Sequence, residues 1–132
     1  MKKKILFVCT GNSCRSQMAE GIANSLGWKA YSAGTKPELE VNPYAILVMS
    51  EIGIDIKKNY PKLLDQINLD EMDVIMTVCS NADENCPVLL GYSNKKIHHS
   101  FDDPANAIGI DEEKIKIFRK VRDEIKEYLF TL

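Results

Sequence analysis

Residues 5–21 read ILFVCTGNSCRSQMAEG, and this stretch decides the fold. An unbroken apolar run, Ile5–Val8, ends on Cys9. Four small or polar residues and Cys14 lead to Arg15, and a helical pattern begins at Ser16. Met18, Ile22 and Leu26 then recur every four residues, with Ala19 and Ala23 beside them and Gly27 as a stop. Strand, tight polar loop and helix in immediate succession describe the first half of a β-α-β unit.

The rest of the chain repeats that alternation. Lys4–Val8, Lys29–Ser32, Val74–Val78 and Lys96–His98 are predicted strands, each bounded by Gly, Asp, Asn or Ser. A second helix is expected from Asn42 as N-cap and Pro43 at the first helical position to Gly53. A short third helix is expected over Lys62–Ile67. The last helix has Asp111 as its expected cap and Glu112 and Glu113 in its first turn. Ile115, Phe118, Val121, Ile125, Tyr128 and Leu129 form one apolar stripe along it. Alternating strands and helices predict an α/β fold: a small parallel sheet flanked by helices on both faces, with right-handed crossovers. In such a sheet ligands bind beyond the carboxyl ends of the strands. Cys9, Cys79 and the loop after His98 all fall at such ends.

Composition narrows the function. The 132 residues suit one domain spanning 1–132, large enough to bury a core without metal or disulfide staples. A net charge of −2 supplies no basic field for nucleic acid or an anionic membrane. The apolar run behind Lys2–Lys4 is too short for a signal peptide, and no segment is long and apolar enough to span a bilayer. The expected compartment is the cytosol. There structural disulfides are rare, and cysteines are more often catalytic, redox-active or metal-bound.

The loop from Cys9 to Arg15 admits two readings. In one, Cys9 packs as a small hydrophobe and Arg15 merely starts a helix. In the other, Thr10, Gly11, Asn12, Ser13 and Cys14 curl their amides into an anion-binding nest at a helix N-terminus. Gly11 and Asn12 would tolerate the unusual dihedrals this requires. Arg15 would add a planar fork for two oxygens of an oxyanion. The same positive surroundings would lower the Cys9 thiol from its ordinary pKa of about 8.5, and Ser16 would donate a hydrogen bond to the sulfur.

VCTGNSCRSQMAEG (8–21) resembles the active-site loop of the low-molecular-weight protein tyrosine phosphatase superfamily. More closely it resembles the thioredoxin-coupled arsenate reductases built on that fold. The likeness continues in order through YSAG (31–34), VNPYAI (41–46), MSEIGIDI (49–56), TVCSNADENCP (77–87), FDDPA (101–105) and VRDEI (121–125). The resemblance implies a four-stranded parallel sheet, Cys9 as nucleophile, and Asp103 of the Asp-Pro motif as general acid, with Asp102 the second choice. Read without the resemblance, Asp-Pro is a turn starter. In the phosphatase branch an aromatic residue commonly follows Asp-Pro; Ala105 stands there here, which suits a small inorganic substrate.

Cys79 and Cys86 read either as two core thiols or as a redox pair; the spacing of the four cysteines is not a zinc ladder. Were the segment between them helical, residues seven apart would lie about 10 Å apart along the axis. A disulfide needs Cα atoms within about 7 Å, so oxidation is expected to unwind or refold that segment. Some reductases of this family hold a monovalent cation through Asn, Glu, Ser and Asp. Asn12, Glu20 and Ser32 match the first three, but Lys62 stands at the fourth. Its ammonium is expected to replace the ion, so stability should not favour potassium over sodium. Cys14 is expected to be supporting, and His98 and His99 ordinary strand residues.

The resemblance thus implies arsenate as substrate and arsenic detoxification as the role. A disulfide would form between Cys9 and Cys79 as arsenic is reduced and then pass to Cys79–Cys86, and thioredoxin would act as reductant. No cofactor, metal, nucleic acid or membrane partner is expected, and the chain is expected to be a monomer. A phosphatase using Cys9, Arg15 and Asp103 alone is the first alternative; a non-catalytic oxyanion or thiol-stress sensor is the second.

Overall fold

The computed structural model describes residues 3–78 and 95–132. Four parallel strands, β1 (Lys4–Cys9), β2 (Lys29–Gly34), β3 (Val74–Thr77) and β4 (Lys95–His98), form a sheet in the order β2-β1-β3-β4. Every residue of β1 after Lys4, and all of β3, is buried. Successive side chains point to opposite faces, so both faces of the two central strands are covered; this is why they read as continuous apolar runs. β4 lies at the sheet edge, where the exposed Lys95 and Lys96 discourage further strand pairing. Among the described residues no helix is long and apolar enough to cross a membrane.

Helix α1 (Arg15–Ser25) follows β1 and packs on β1, β2 and α3 (Asp111–Leu129). It carries a glycine in its interior, a residue that costs a helix about 1 kcal/mol relative to alanine. A Cβ on Gly21 would stand 3.0 Å from both Met49 Cε and Ile54 Cγ2, so close packing with residues in and after α2 (Pro43–Ser50) accounts for it. The stripe of α3 buries Phe118, Val121, Ile125 and Leu129. Arg122, also buried, donates to Val48 O at 2.9 Å and to Glu51 Oε1 at 2.9 Å. That contact ties α3 to α2.

Three expectations need correction. Asp111 does not cap α3: Ile110 occupies the cap with no side-chain bond, and the Asp111 carboxylate accepts the Tyr44 hydroxyl instead. The expected helix over 62–67 shrinks to one 3₁₀ turn, Leu64–Gln66. The backbone before it is already engaged, because Lys62 N–H donates to Asn12 Oδ1 at 2.9 Å and Lys62 O accepts from Gly34 N–H at 2.8 Å. Gly11 does not take a left-handed conformation; of the loop residues only Asn12 does, with φ 52°.

The strand order places the site. From β1 the chain crosses to β2 on one side, and β3 pairs on the other, so the direction of winding reverses between β1 and β3. The carboxyl end of β1, where Cys9 sits opposite Gly34, borders that reversal. Ligands of open α/β sheets bind at such a point.

Candidate active site

Cys9 is the last residue of β1 and 3% exposed. Its Sγ accepts the Asn12 N–H at 3.2 Å and lies 2.9 Å from Ser16 Oγ. Asn12 Nδ2 donates to that same Oγ at 2.8 Å. The Ser16 hydroxyl thus accepts the Asn12 amide and still has its proton to give to a Cys9 thiolate, which can only accept. A charge on the sulfur would be met by the Asn12 N–H and the Ser16 hydroxyl. The first turn of α1, which has no side-chain cap, stands beside them with its unbonded N–H groups.

Asn12 holds its left-handed conformation because the fold grips it at several points. It is fully buried, its Oδ1 accepts Lys62 N–H, and its carbonyl accepts Gln17 Nε2 at 3.1 Å. Gln17, also fully buried, donates to Tyr60 O at 3.2 Å and accepts from Asn59 Nδ2 at 3.1 Å. Asn59 Nδ2 donates in turn to Glu20 Oε2 at 2.8 Å, and Ser32 Oγ to Glu20 Oε1 at 3.0 Å. Burial raises the Glu20 carboxyl and lowers the Lys62 ammonium; in each case attraction to the other opposes burial without cancelling it. Lys62 Nζ also donates to Tyr60 O at 2.9 Å. Gln17, Asn59 and Tyr60 are thus structural parts of the loop that sequence reading missed.

Thr10 to Arg15 line a cleft of about 370 Å³ together with Cys9, Glu38, Asp103, Ala105 and Asn106. A Cβ on Gly34 would come within 2.5 Å of Thr10 O, so only glycine lets β2 end this close to the loop. Arg15 begins α1 and spans the cleft: Nη1 donates to Phe101 O at 2.9 Å, and Nη2 is 3.5 Å from Asp103 Oδ2. Asp103 Oδ1 accepts Ala105 N–H at 3.0 Å and so caps the turn Pro104–Asn106. The turn chemistry of Asp-Pro and a position in the cleft are held by one side chain. Asp102 is exposed and not among the residues lining the cleft. Nor are His98, whose Nδ1 is 2.6 Å from Thr77 Oγ1, and His99, which stacks on Tyr128.

Cys14 is buried in the same loop. Burial, first, pushes its thiol up to about 12. It stays protonated at neutral pH and is a poor nucleophile there. The unfolded thiol ionises from about pH 9 while the folded one does not, so stability is full below pH 9 and declines as pH rises toward 12. Melting temperatures measured across that range are expected to fall less steeply for Cys14→Ser than for the unmodified protein. Parallel declines would contradict this.

Cys79 and Cys86, the expected redox pair, lie outside the described residues. The chain reaches the last described position before them at Val78, whose N–H donates to Val8 O at 3.0 Å, beside Cys9.

Residues 4–132 match the model of a family described as low molecular weight phosphotyrosine protein phosphatase. An arsenate reductase of Halalkalibacterium halodurans is 50% identical over 134 residues, covering 98% of this chain and 94% of that one. A solved structure titled as an arsenate reductase in the phosphate binding state superposes with a TM-score of 0.82 at 34% identity, covering 98% of this chain and 95% of that one. Another, titled as an arsenate reductase in oxidized state, gives 0.79 at 33% identity, with the same 98% and 95% coverage.

Proposed function

The chain belongs to the low molecular weight phosphotyrosine protein phosphatase family, and from that premise we propose that it reduces arsenate to arsenite through a thiol relay regenerated by thioredoxin. The observation that carries this reading is the Cys9 sulfur, held between Asn12 N–H and Ser16 Oγ at the floor of a cleft that also holds Arg15 and Asp103. The similarity to arsenate reductases over nearly the whole chain supports it.

Arsenate enters the cleft, and its oxygens take up the loop amides and the Arg15 guanidinium. The Cys9 thiolate attacks arsenic; a sulfur–arsenic bond forms while one arsenic–oxygen bond breaks, and Asp103 gives its proton to the departing oxygen. Cys79 thiolate then attacks Cys9 Sγ. The sulfur–arsenic bond breaks with its electron pair passing to arsenic, arsenite leaves, and a Cys9–Cys79 disulfide remains. Cys86 attacks Cys79, moving the disulfide to Cys79–Cys86 and returning Cys9 as a thiol. Thioredoxin dithiol reduces that disulfide by exchange. Two electrons reach arsenic, and two thiols lose them.

A phosphatase reading uses the same loop, since phosphate and arsenate share shape and charge, and the family description favours it. The cysteines separate the two. Thioredoxin-coupled arsenate turnover is expected to vanish in Cys79→Ser and in Cys86→Ser, while any hydrolysis of an aryl phosphate stays within about twofold of the unmodified protein. Undiminished arsenate turnover in both variants would overturn the relay.

A further inference from the structure

The segment after β2 is laced to the oxyanion loop by its backbone. Thr35 N–H donates to Cys9 O at 3.2 Å, Lys36 N–H to Thr10 O at 2.9 Å, and Glu38 N–H to Gly11 O at 2.8 Å. This ladder fixes where Glu38 stands. A Cβ on Gly11 would lie 2.9 Å from Glu38 Cγ and 3.6 Å from its Oε1, so the glutamate side chain lies over Gly11 and glycine there leaves room for it. Glu38 is exposed and lines the cleft. Asp103, the other acid of the cleft, has Arg15 on one oxygen and Ala105 N–H on the other. Among the described residues no hydrogen-bond donor or cation holds the Glu38 carboxylate. Its charge is felt inside the loop, since it adds to the upward push on the Cys14 thiol.

A site built to receive an oxyanion thus carries an uncompensated acid at its mouth. A bare tetrahedral anion seated in the loop has amides and a guanidinium around its charge. A second anionic group attached to it would stand outside the loop, beside the carboxylate. We propose that Glu38 is a specificity-determining residue that discriminates against substrates carrying negative charge beyond the oxyanion seated in the loop, so that the site favours the free inorganic ion. The proposal rests on the oxyanion-loop reading above but not on the redox relay. Two unit charges roughly 6 Å apart at a wet surface repel enough to change affinity about five- to tenfold, and salt screens the effect.

Protection of Cys9 from iodoacetamide tests this without any turnover. The reduced full chain is titrated at low ionic strength with inorganic phosphate and with pyrophosphate, and the ratio of half-protecting concentrations is read. Glu38→Gln is expected to shift that ratio about five- to tenfold in favour of pyrophosphate. Glu38→Asp should keep most of the original ratio, and about 0.5 M salt should shrink the shift. An unchanged ratio in Glu38→Gln, or equal weakening of both anions, would overturn the proposal. Failure of phosphate to protect the unmodified protein would instead sink the oxyanion-loop reading, and this inference with it.

Discussion

Cys9→Ser is expected to lower arsenate turnover about 10⁵-fold or more, to background. A serine hydroxyl would sit within reach of the same donors, Asn12 N–H and Ser16 Oγ. It does not ionise in the working range, and it forms neither the sulfur–arsenic bond nor the disulfide whose formation sends two electrons to arsenic. The amides and Arg15 stay, so phosphate binding measured by calorimetry is expected to persist within about tenfold. Loss of chemistry with retained binding assigns the sulfur to the reaction rather than to the architecture. Substantial turnover by the serine variant would contradict that assignment.

The second large effect concerns Arg15. Its guanidinium reaches Phe101 O through Nη1 and Asp103 through Nη2, two points on the loop after β4. A planar fork of fixed geometry makes that span, and the same fork can turn two N–H groups toward an oxyanion. Lysine keeps the charge but offers one point-like head. Arg15→Lys is therefore expected to reduce kcat/KM for arsenate about 10²- to 10³-fold. Part of that loss comes from Asp103, which loses the partner that sets its position in the cleft. A lysine variant within about threefold of the original kcat/KM would show that charge alone suffices.

The strands and the tight loop after β1 were legible because their signals are local. A continuous apolar run that ends on Cys9 and gives way to polar residues reads as a buried parallel strand entering a loop, and the register Cys9–Gly34 then puts YSAG beside it. Asn42 was legible for the same reason: its side chain accepts Tyr44 N–H two residues on. Asp111 looked like the same kind of cap, but a tyrosine from α2 takes its carboxylate, a contact 67 residues away in sequence. The scaffold of Asn12 was invisible on the same principle. Gln17 meets Asn59 across 42 residues and Lys62 N–H meets Asn12 across 50, and no periodicity encodes either contact. Gly11 was singled out for a conformation it does not adopt. Expected for its freedom of φ, it instead makes room for Glu38, a residue no motif singled out.

The relay itself is tested most directly by one measurement: a single turnover of the prereduced chain with excess arsenate and no thioredoxin, counting arsenite and thiols. The expected result is one arsenite and two lost thiols per chain, the disulfide mapping to Cys79–Cys86, and no arsenite from Cys79→Ser. Arsenite released from Cys79→Ser at the original yield, or arsenite without loss of thiols, would contradict it.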